Sequence, residues 1–165
     1  MEKKIIDDLK TLVEYAIDSA SSMIGDNPKD DFMPLFIILT GNKEVHIIGT
    51  PFLAQTDEEA TQIKNAVANV IRQKIIELRA IAYVHISEAW ITSHPIGTDL
   101  STVLAPSKSD ARKEVLVVVG RDQDGKAFMS HIDIDRSDDG GKVLGKRRDE
   151  TDYEPVHGRF SNLFS

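Results

Sequence analysis

The chain has 165 residues, with 20 Lys plus Arg against 27 Asp plus Glu, five His and no Cys. The absence of cysteine excludes disulfides, thiolate nucleophiles, cysteine zinc sites and iron–sulfur clusters, and the length fits one domain that buries its own core. A formal charge of -7 argues against nucleic acid as the main partner, although an acidic mimic of a nucleic acid stays open as an alternative.

Targeting signals are missing from the part of the sequence where they would be expected. The first ten residues are too acidic and too interrupted for a signal peptide, and no apolar run approaches the roughly 20 residues that span a bilayer. We therefore expect a cytoplasmic protein without a membrane partner.

Charge divides the chain unevenly. Residues 1–135 hold 14 basic and 21 acidic side chains, whereas residues 136–165 hold six of each. This predicts a single α+β domain over residues 1–135, followed by a hairpin end and an extended arm over residues 136–165. The arm ends in three apolar side chains, which we expect to dock on the chain itself or on a protein partner: Phe160, Leu163 and Phe164.

The first half of the chain predicts a helix, a hairpin and a second helix. Apolar residues at spacings of three and four predict a helix over residues 2–24, and residues 34–40 and 45–50 predict two strands around a Gly-Asn turn. A capping box at residues 56–59 opens a long helix that runs to about Ala80. Its predicted buried stripe consists of Ile63, Ala66, Val67, Val70, Ile71 and Ile75.

The second half predicts strands. Residues 81–91, 115–119 and 127–135 have the branched, aromatic or alternating pattern of strands, and a short sixth strand at residues 142–144 is an open alternative. The order α-β-β-α-β-β-β predicts an α+β fold in which helices pack on a mostly antiparallel sheet of five or six strands. Profilin-like and roadblock-like domains share this order of elements.

The connection between the third and fourth predicted strands, residues 92–113, is unusually long, and long connections often carry function. Ser-His-Pro at residues 93–95 and Pro-Ser-Lys-Ser-Asp at residues 106–110 resemble the JAMM/MPN metalloprotease motif. The resemblance implies zinc bound by His94 and Asp110, with Glu88 as the candidate for the upstream Glu that activates water. A zinc site usually needs three protein ligands, and His85 or Glu88 from the strand is the candidate for the third. Thr92 stands where that family has its first histidine, and a chance match in a loop rich in Ser and Pro is the alternative. The expected cofactor is none, with zinc as the alternative.

A second resemblance covers residues 34–135. Ser-Glu-Ala-Trp at residues 87–90, together with Asp-Ala-Arg-Lys-Glu at residues 110–114, is similar to a group of bacterial proteins that carry a Ser-Glu-Ala-Trp strand. The group brings no assigned activity. The similarity implies a shared fold and a shared site around Glu88, Trp90, Arg112 and Glu114.

The same residues support a structural reading. Glu88 and Trp90 lie on one face of the third predicted strand, where a covered carboxylate needs a cation or a donor. Arg112, at the far end of the long connection, is the predicted partner of Glu88, and a role for Glu88 as a general base or ligand is the alternative.

A possible cation site is also present on the fifth predicted strand. His131, Asp133 and Asp135 share one face and could bind a divalent ion, or they could form the solvent face of an edge strand. Taken together, the sequence favours a non-catalytic interaction or regulatory domain, which could form a homodimer. A metal-dependent hydrolase is the alternative function.

Overall fold

The computed structural model describes residues 8–50, 56–91, 97–102, 112–150 and 163–164. Within these ranges two helices and six strands follow in the order α-β-β-α-β-β-β-β. This is the predicted order α-β-β-α-β-β-β with the sixth strand added, so the α+β class is confirmed. The elements are α1 (Leu9–Asp26), β1 (Leu35–Thr40), β2 (Val45–Gly49), α2 (Asp57–Glu77), β3 (Ala80–Ile91), β4 (Lys113–Asp122), β5 (Ala127–Arg136) and β6 (Lys142–Glu150), with a 3-10 turn at Leu100–Thr102.

The six strands form one antiparallel sheet in the order β2-β1-β3-β4-β5-β6. α2 connects the edge strand β2 to β3, which lies between β1 and β4, and from β3 onward each strand pairs with the next. β6 is nine residues long, whereas the sequence indicated only residues 142–144. Its second half is highly charged and has no apolar alternation, so the strand pattern was hidden there.

Each face of the sheet carries one helix. β1 is buried at all six positions, as its continuous apolar run predicts for a strand covered on both sides. α1 packs on one face, called here the α1 face, where the buried strand residues are Ile37, Leu39, Ala82, Val84, Ile86, Leu116, Val118, Ile132 and Ile134. α2 packs on the other, the α2 face, against a smaller buried set that includes Phe36, Ile38 and Tyr83. Neither described helix has the length and apolar character needed to cross a bilayer.

The start of α1 corrects the predicted boundary at residue 2. Asp8 has an extended backbone, with φ -147° and ψ 175°, and forms the N-cap. Its side chain accepts a hydrogen bond from the Thr11 amide at 2.8 Å, and the Thr11 hydroxyl accepts one from the Asp8 amide at 3.2 Å. This reciprocal cap satisfies two backbone donors that would otherwise lack a helical partner, so α1 begins at Leu9.

The buried side of α2 also differs from the predicted stripe. Ala68, Ile71 and Ile75 are buried, but Val70 is 53% exposed and Ala66 is exposed. Six apolar positions make a stripe wider than the contact that one helix makes with a sheet. The helix therefore buries the side that contains Ala68 and leaves the other side of the stripe in water.

Candidate functional site

The predicted site residues on β3 and β4 meet at one corner of the sheet. In the β3–β4 register Glu88 lies opposite Leu116, and Trp90 lies opposite Glu114. Because side chains two residues apart share a face, Glu88, Trp90 and Glu114 all lie on the α1 face. The strand register thus places these three residues close together on one face.

Glu88 is bonded to Lys142, so the predicted pair of Glu88 with Arg112 is wrong. Glu88 Oε1 accepts from Lys142 Nζ at 2.5 Å and from the backbone amide of Phe32 at 2.6 Å. Lys142 Nζ also donates to the carbonyl of Asp30 at 2.7 Å. The Lys142 side chain is 1% exposed and that of Glu88 is 25% exposed. The corner therefore contains a largely buried ion pair.

Tertiary contacts bring Lys142 to this position. Its backbone amide donates to the carbonyl of Pro28 at 2.8 Å, and it lies opposite Arg136 in the β5–β6 register. The segment between α1 and β1 is thereby held between the start of β6 and the end of β3. Lys142 follows an Asp-Asp-Gly-Gly turn sequence, where a lysine is normally solvated, so local sequence carried no signal for it.

The other predicted residues of the corner contact arginines. The Arg112 guanidinium lies over the Trp90 ring, with Cζ 4.5 Å from the ring centroid, and Trp90 is 39% exposed. A cation–π contact at such a site contributes about 0.5–1 kcal/mol. Glu114 accepts two hydrogen bonds from Arg136, both of 3.1 Å, in the bidentate geometry typical of arginine and carboxylate. Arg136 is the second partner that sequence reasoning missed.

One carboxylate oxygen of Glu88, Oε1, has a structural role. A general base needs a lone pair directed at the substrate. Oε1 of Glu88 is instead directed at the ammonium of Lys142 and the amide of Phe32. The ion pair ties β3, β6 and the segment before β1 together.

The structure describes two of the four residues of the zinc site implied by the JAMM/MPN resemblance, His85 and Glu88. His85 lies on the α2 face, with its ring centroid 4.3 Å from that of Phe36, and burial lowers its pKa to about 4. Glu88 lies on the opposite face of β3, so these two candidates are not brought together. His94 and Asp110 lie outside the described residues. Among the residues that the structure describes, no three His, Asp or Glu side chains are grouped to hold a metal.

Asp133, the central residue of the predicted cation site on β5, is bound by two protein cations. Asp133 accepts from both terminal nitrogens of Arg148, at 2.8 and 3.1 Å, and lies 3.0 Å from Lys113 Nζ. Hydrogen bonds from Arg148, and then from Lys113, hold the pKa of Asp133 below its usual value. His131 Nδ1 lies 3.8 Å from a carboxylate oxygen of Glu150. Asp133 thus has its negative charge compensated by two protein cations.

The C-terminal residues pack on the chain's own α2 face. Leu163 is 2% exposed and belongs to the buried cluster that contains Ile71 and Tyr83. The Phe164 ring lies 5.6 Å from the Tyr83 ring, and the Leu163 amide donates to the Tyr83 hydroxyl at 3.2 Å. Leu163 is therefore covered by its own chain in this arrangement, while Phe160 lies outside the described residues.

We expect Tyr83→Phe to lower the free energy of unfolding by about 1–2 kcal/mol, because it leaves the buried Leu163 amide without its acceptor. Urea denaturation would measure the change. Tyr15→Phe on α1 is the matched control and should be nearly neutral, since Tyr15 is half-buried at the surface. Equal effects of the two substitutions would contradict a specific hydrogen bond between Tyr83 and the C-terminus.

An apolar groove lies beside the end of α1, on the α1 face. Met23 and Met33 are 41% and 51% exposed, and an added Cβ at Gly49 on the edge strand β2 would lie 2.6 Å from the Met33 sulfur. The methionine groove, as it is called below, has a volume of about 350 Å³ and is lined by Met23, Ile24, Asn27, Asp30, Asp31, Phe32, Met33 and Leu35. This groove was not among the sequence predictions, although two methionines flank an acidic linker in the sequence.

Comparison with known proteins gives no relative from which a role could be transferred. No protein-family model, no curated protein and no solved structure matches this chain.

Proposed function

We propose that this chain is a non-catalytic interaction domain of the cytoplasm that binds a polypeptide partner in the methionine groove. The observation that carries the proposal is the exposure of Met23 and Met33 at a single groove, 41% and 51%. Large apolar side chains gathered at one surface site often mark an interaction surface. Methionine is suited to this role because its flexible, polarisable side chain adapts to different apolar partners.

The acidic residues that line the groove indicate a partner with basic residues. Asp30 and Asp31 line the groove, and the whole chain carries a formal charge of -7. An acidic rim around an apolar floor is complementary to a segment that presents apolar side chains flanked by Lys or Arg. Such a segment is typical of amphipathic helices that lay their apolar face in a groove.

Methyl-labelled methionine provides a direct test, with an amphipathic Leu/Lys peptide of about 14 residues as the probe. We expect the methyl resonances of Met23 and Met33 to shift on titration. Met129 is the internal control, because it lies on the α2 face of β5, and its resonance should stay unchanged. Equal shifts at Met129, or equal binding of the same peptide with Glu in place of Lys, would contradict the proposal.

A pair of substitutions separates groove binding from general surface effects. Met33→Gln should weaken binding of the Leu/Lys peptide by about tenfold, which corresponds to about 1.4 kcal/mol. Val143→Gln is the matched control, because Val143 is 52% exposed on the far edge strand β6 and should leave the affinity unchanged. Both residues are exposed, so neither change should affect folding.

A further inference from the structure

α2 carries a second apolar stripe that does not face the sheet. Ile63, Ala66 and Val70 follow one another at spacings of three and four, which places them within about 60° of each other around the helix. Val70 is 53% exposed, Ala66 is exposed and Ile63 is half-buried. These three residues, called here the α2 stripe, have the spacing by which one helix packs against another in a coiled coil.

The α2 stripe is complementary to itself when two helices run antiparallel. A two-fold axis between Ala66 and Val67 sets Ile63 of one copy opposite Val70 of the second copy, and the same contact is repeated by symmetry. The small side chain of Ala66 lies next to the axis, where it lets the two helices approach to the short end of the usual 8–10 Å range. A two-fold contact of this kind closes on itself, as most homodimers do.

Charges on either side of the stripe select the antiparallel orientation. The same axis sets Glu59 of one copy opposite Lys74 of the second copy, so each dimer contains this pairing twice. In a parallel arrangement Glu59 would instead face Glu59. Lys74 Nζ lies 3.0 Å from Glu77 in its own chain, with the two side chains 47% and 60% exposed. Surface pairs of this type contribute little to stability, so Lys74 is able to exchange its partner.

We propose that two copies of this chain associate through the α2 stripe as an antiparallel pair of α2 helices. A single helix–helix contact buries less than the roughly 1,200 Å² of a stable complex, so the dimer belongs to the weak and reversible class. The stripe lies on the α2 side of the sheet and the methionine groove on the α1 side. The dimer therefore leaves the methionine groove of each copy open, so that it presents two grooves to a partner.

Sedimentation velocity on the full chain, over concentrations from about 5 to about 500 μM, tests the association in the range expected for a weak interface. We expect the mass to rise from monomer toward dimer with increasing concentration, and Val70→Glu to weaken association at least tenfold. Ile76→Glu is the matched control, since Ile76 is 76% exposed on a third side of α2, and it should leave the association unchanged. A wild type that stays monomeric, or equal effects of the two substitutions, would overturn the proposal.

Charge exchange tests the orientation. Glu59→Lys and Lys74→Glu should each weaken association, because each sets like charges opposite one another. The double variant carrying both changes restores two opposite-charge pairings and should return to the wild-type dissociation constant, with melting temperatures recorded for all variants. A double variant that dimerises no better than either single variant would rule out the antiparallel pairing. Because the α2 stripe and the methionine groove are separate surfaces, failure here leaves the peptide titration unaffected.

Discussion

Glu88→Ala is expected to lower the free energy of unfolding by about 3–5 kcal/mol. The substitution removes the counter-charge of Lys142, whose side chain is 1% exposed, and leaves its ammonium with the carbonyl of Asp30 at 2.7 Å. It also removes the acceptor of the Phe32 amide. A buried cation without an anion is far less stable than the same cation in water, so the folded state loses more than the energy of one surface contact. Urea denaturation followed by the fluorescence of the single tryptophan, Trp90, measures the change.

Glu114→Ala is the matched control for this experiment. Glu114 is also a carboxylate at the same corner, with 18% of its side chain exposed, but its partner Arg136 is 43% exposed. The guanidinium left behind is therefore hydrated, and the removal of Glu114 should cost about 1 kcal/mol. The double variant Glu88→Gln with Lys142→Met should be much more stable than Glu88→Ala, because no uncompensated charge stays buried. If Glu88→Ala costs no more than Glu114→Ala, the buried pair does not hold the corner together.

Lowering the pH from 7 to 4 is expected to cost about 3 kcal/mol of stability through His85 alone. Burial lowers the pKa of His85 in the folded chain from its ordinary value of 6.5 to about 4. Between these two values the unfolded chain binds a proton that the folded chain excludes. The stabilisation is therefore complete above pH 6.5, is lost as the pH falls through this window, and levels off near pH 4, where the folded His85 also becomes protonated.

His85→Leu should remove this part of the pH dependence, because leucine has a similar size and does not titrate. Carboxylates with lowered pKa values, Asp133 and Asp149, keep their charge through the upper part of this window and lose their stabilising contacts only at still lower pH. Urea midpoints recorded between pH 7 and pH 4 measure how stability depends on pH. If stability falls as steeply with pH in His85→Leu as in the wild type, His85 is not the source of this dependence.

The elements that could be predicted from sequence are those whose signals are local. The apolar run of β1 indicated a strand buried on both faces, and Thr56 indicated the start of α2, where its hydroxyl accepts from the Glu59 amide at 3.1 Å. Both signals lie within a few residues of the chain. A strand shows its burial in the side chains that point to its two faces, and a helix start shows itself in a side chain that accepts from the unpaired amides of the first turn. The order of the elements followed from them, and with it the α+β class.

The candidate site could be predicted in part. The spacing within β3 indicated that Glu88 and Trp90 share a face, and the β3–β4 register brought Glu114 to the same corner. The ion partners were not predictable in this way. Which cation approaches a carboxylate depends on where distant segments meet, and Glu88 and Lys142 are 54 residues apart.

Sequence alone thus determined the two helices, the first five strands and their order in this protein, because hydrogen bonding and side-chain alternation within a segment decide those features. Tertiary structure alone decided that Lys142 is the buried partner of Glu88, that α2 buries its Ala68 side and exposes Val70, and that Leu163 returns to the core. Each of these three features depends on which segments, distant in the sequence, come together in the folded chain and become buried there. The physical reason is that burial and charge pairing are properties of the assembled sheet and helices, whereas secondary structure is encoded within a few turns or strands of the chain.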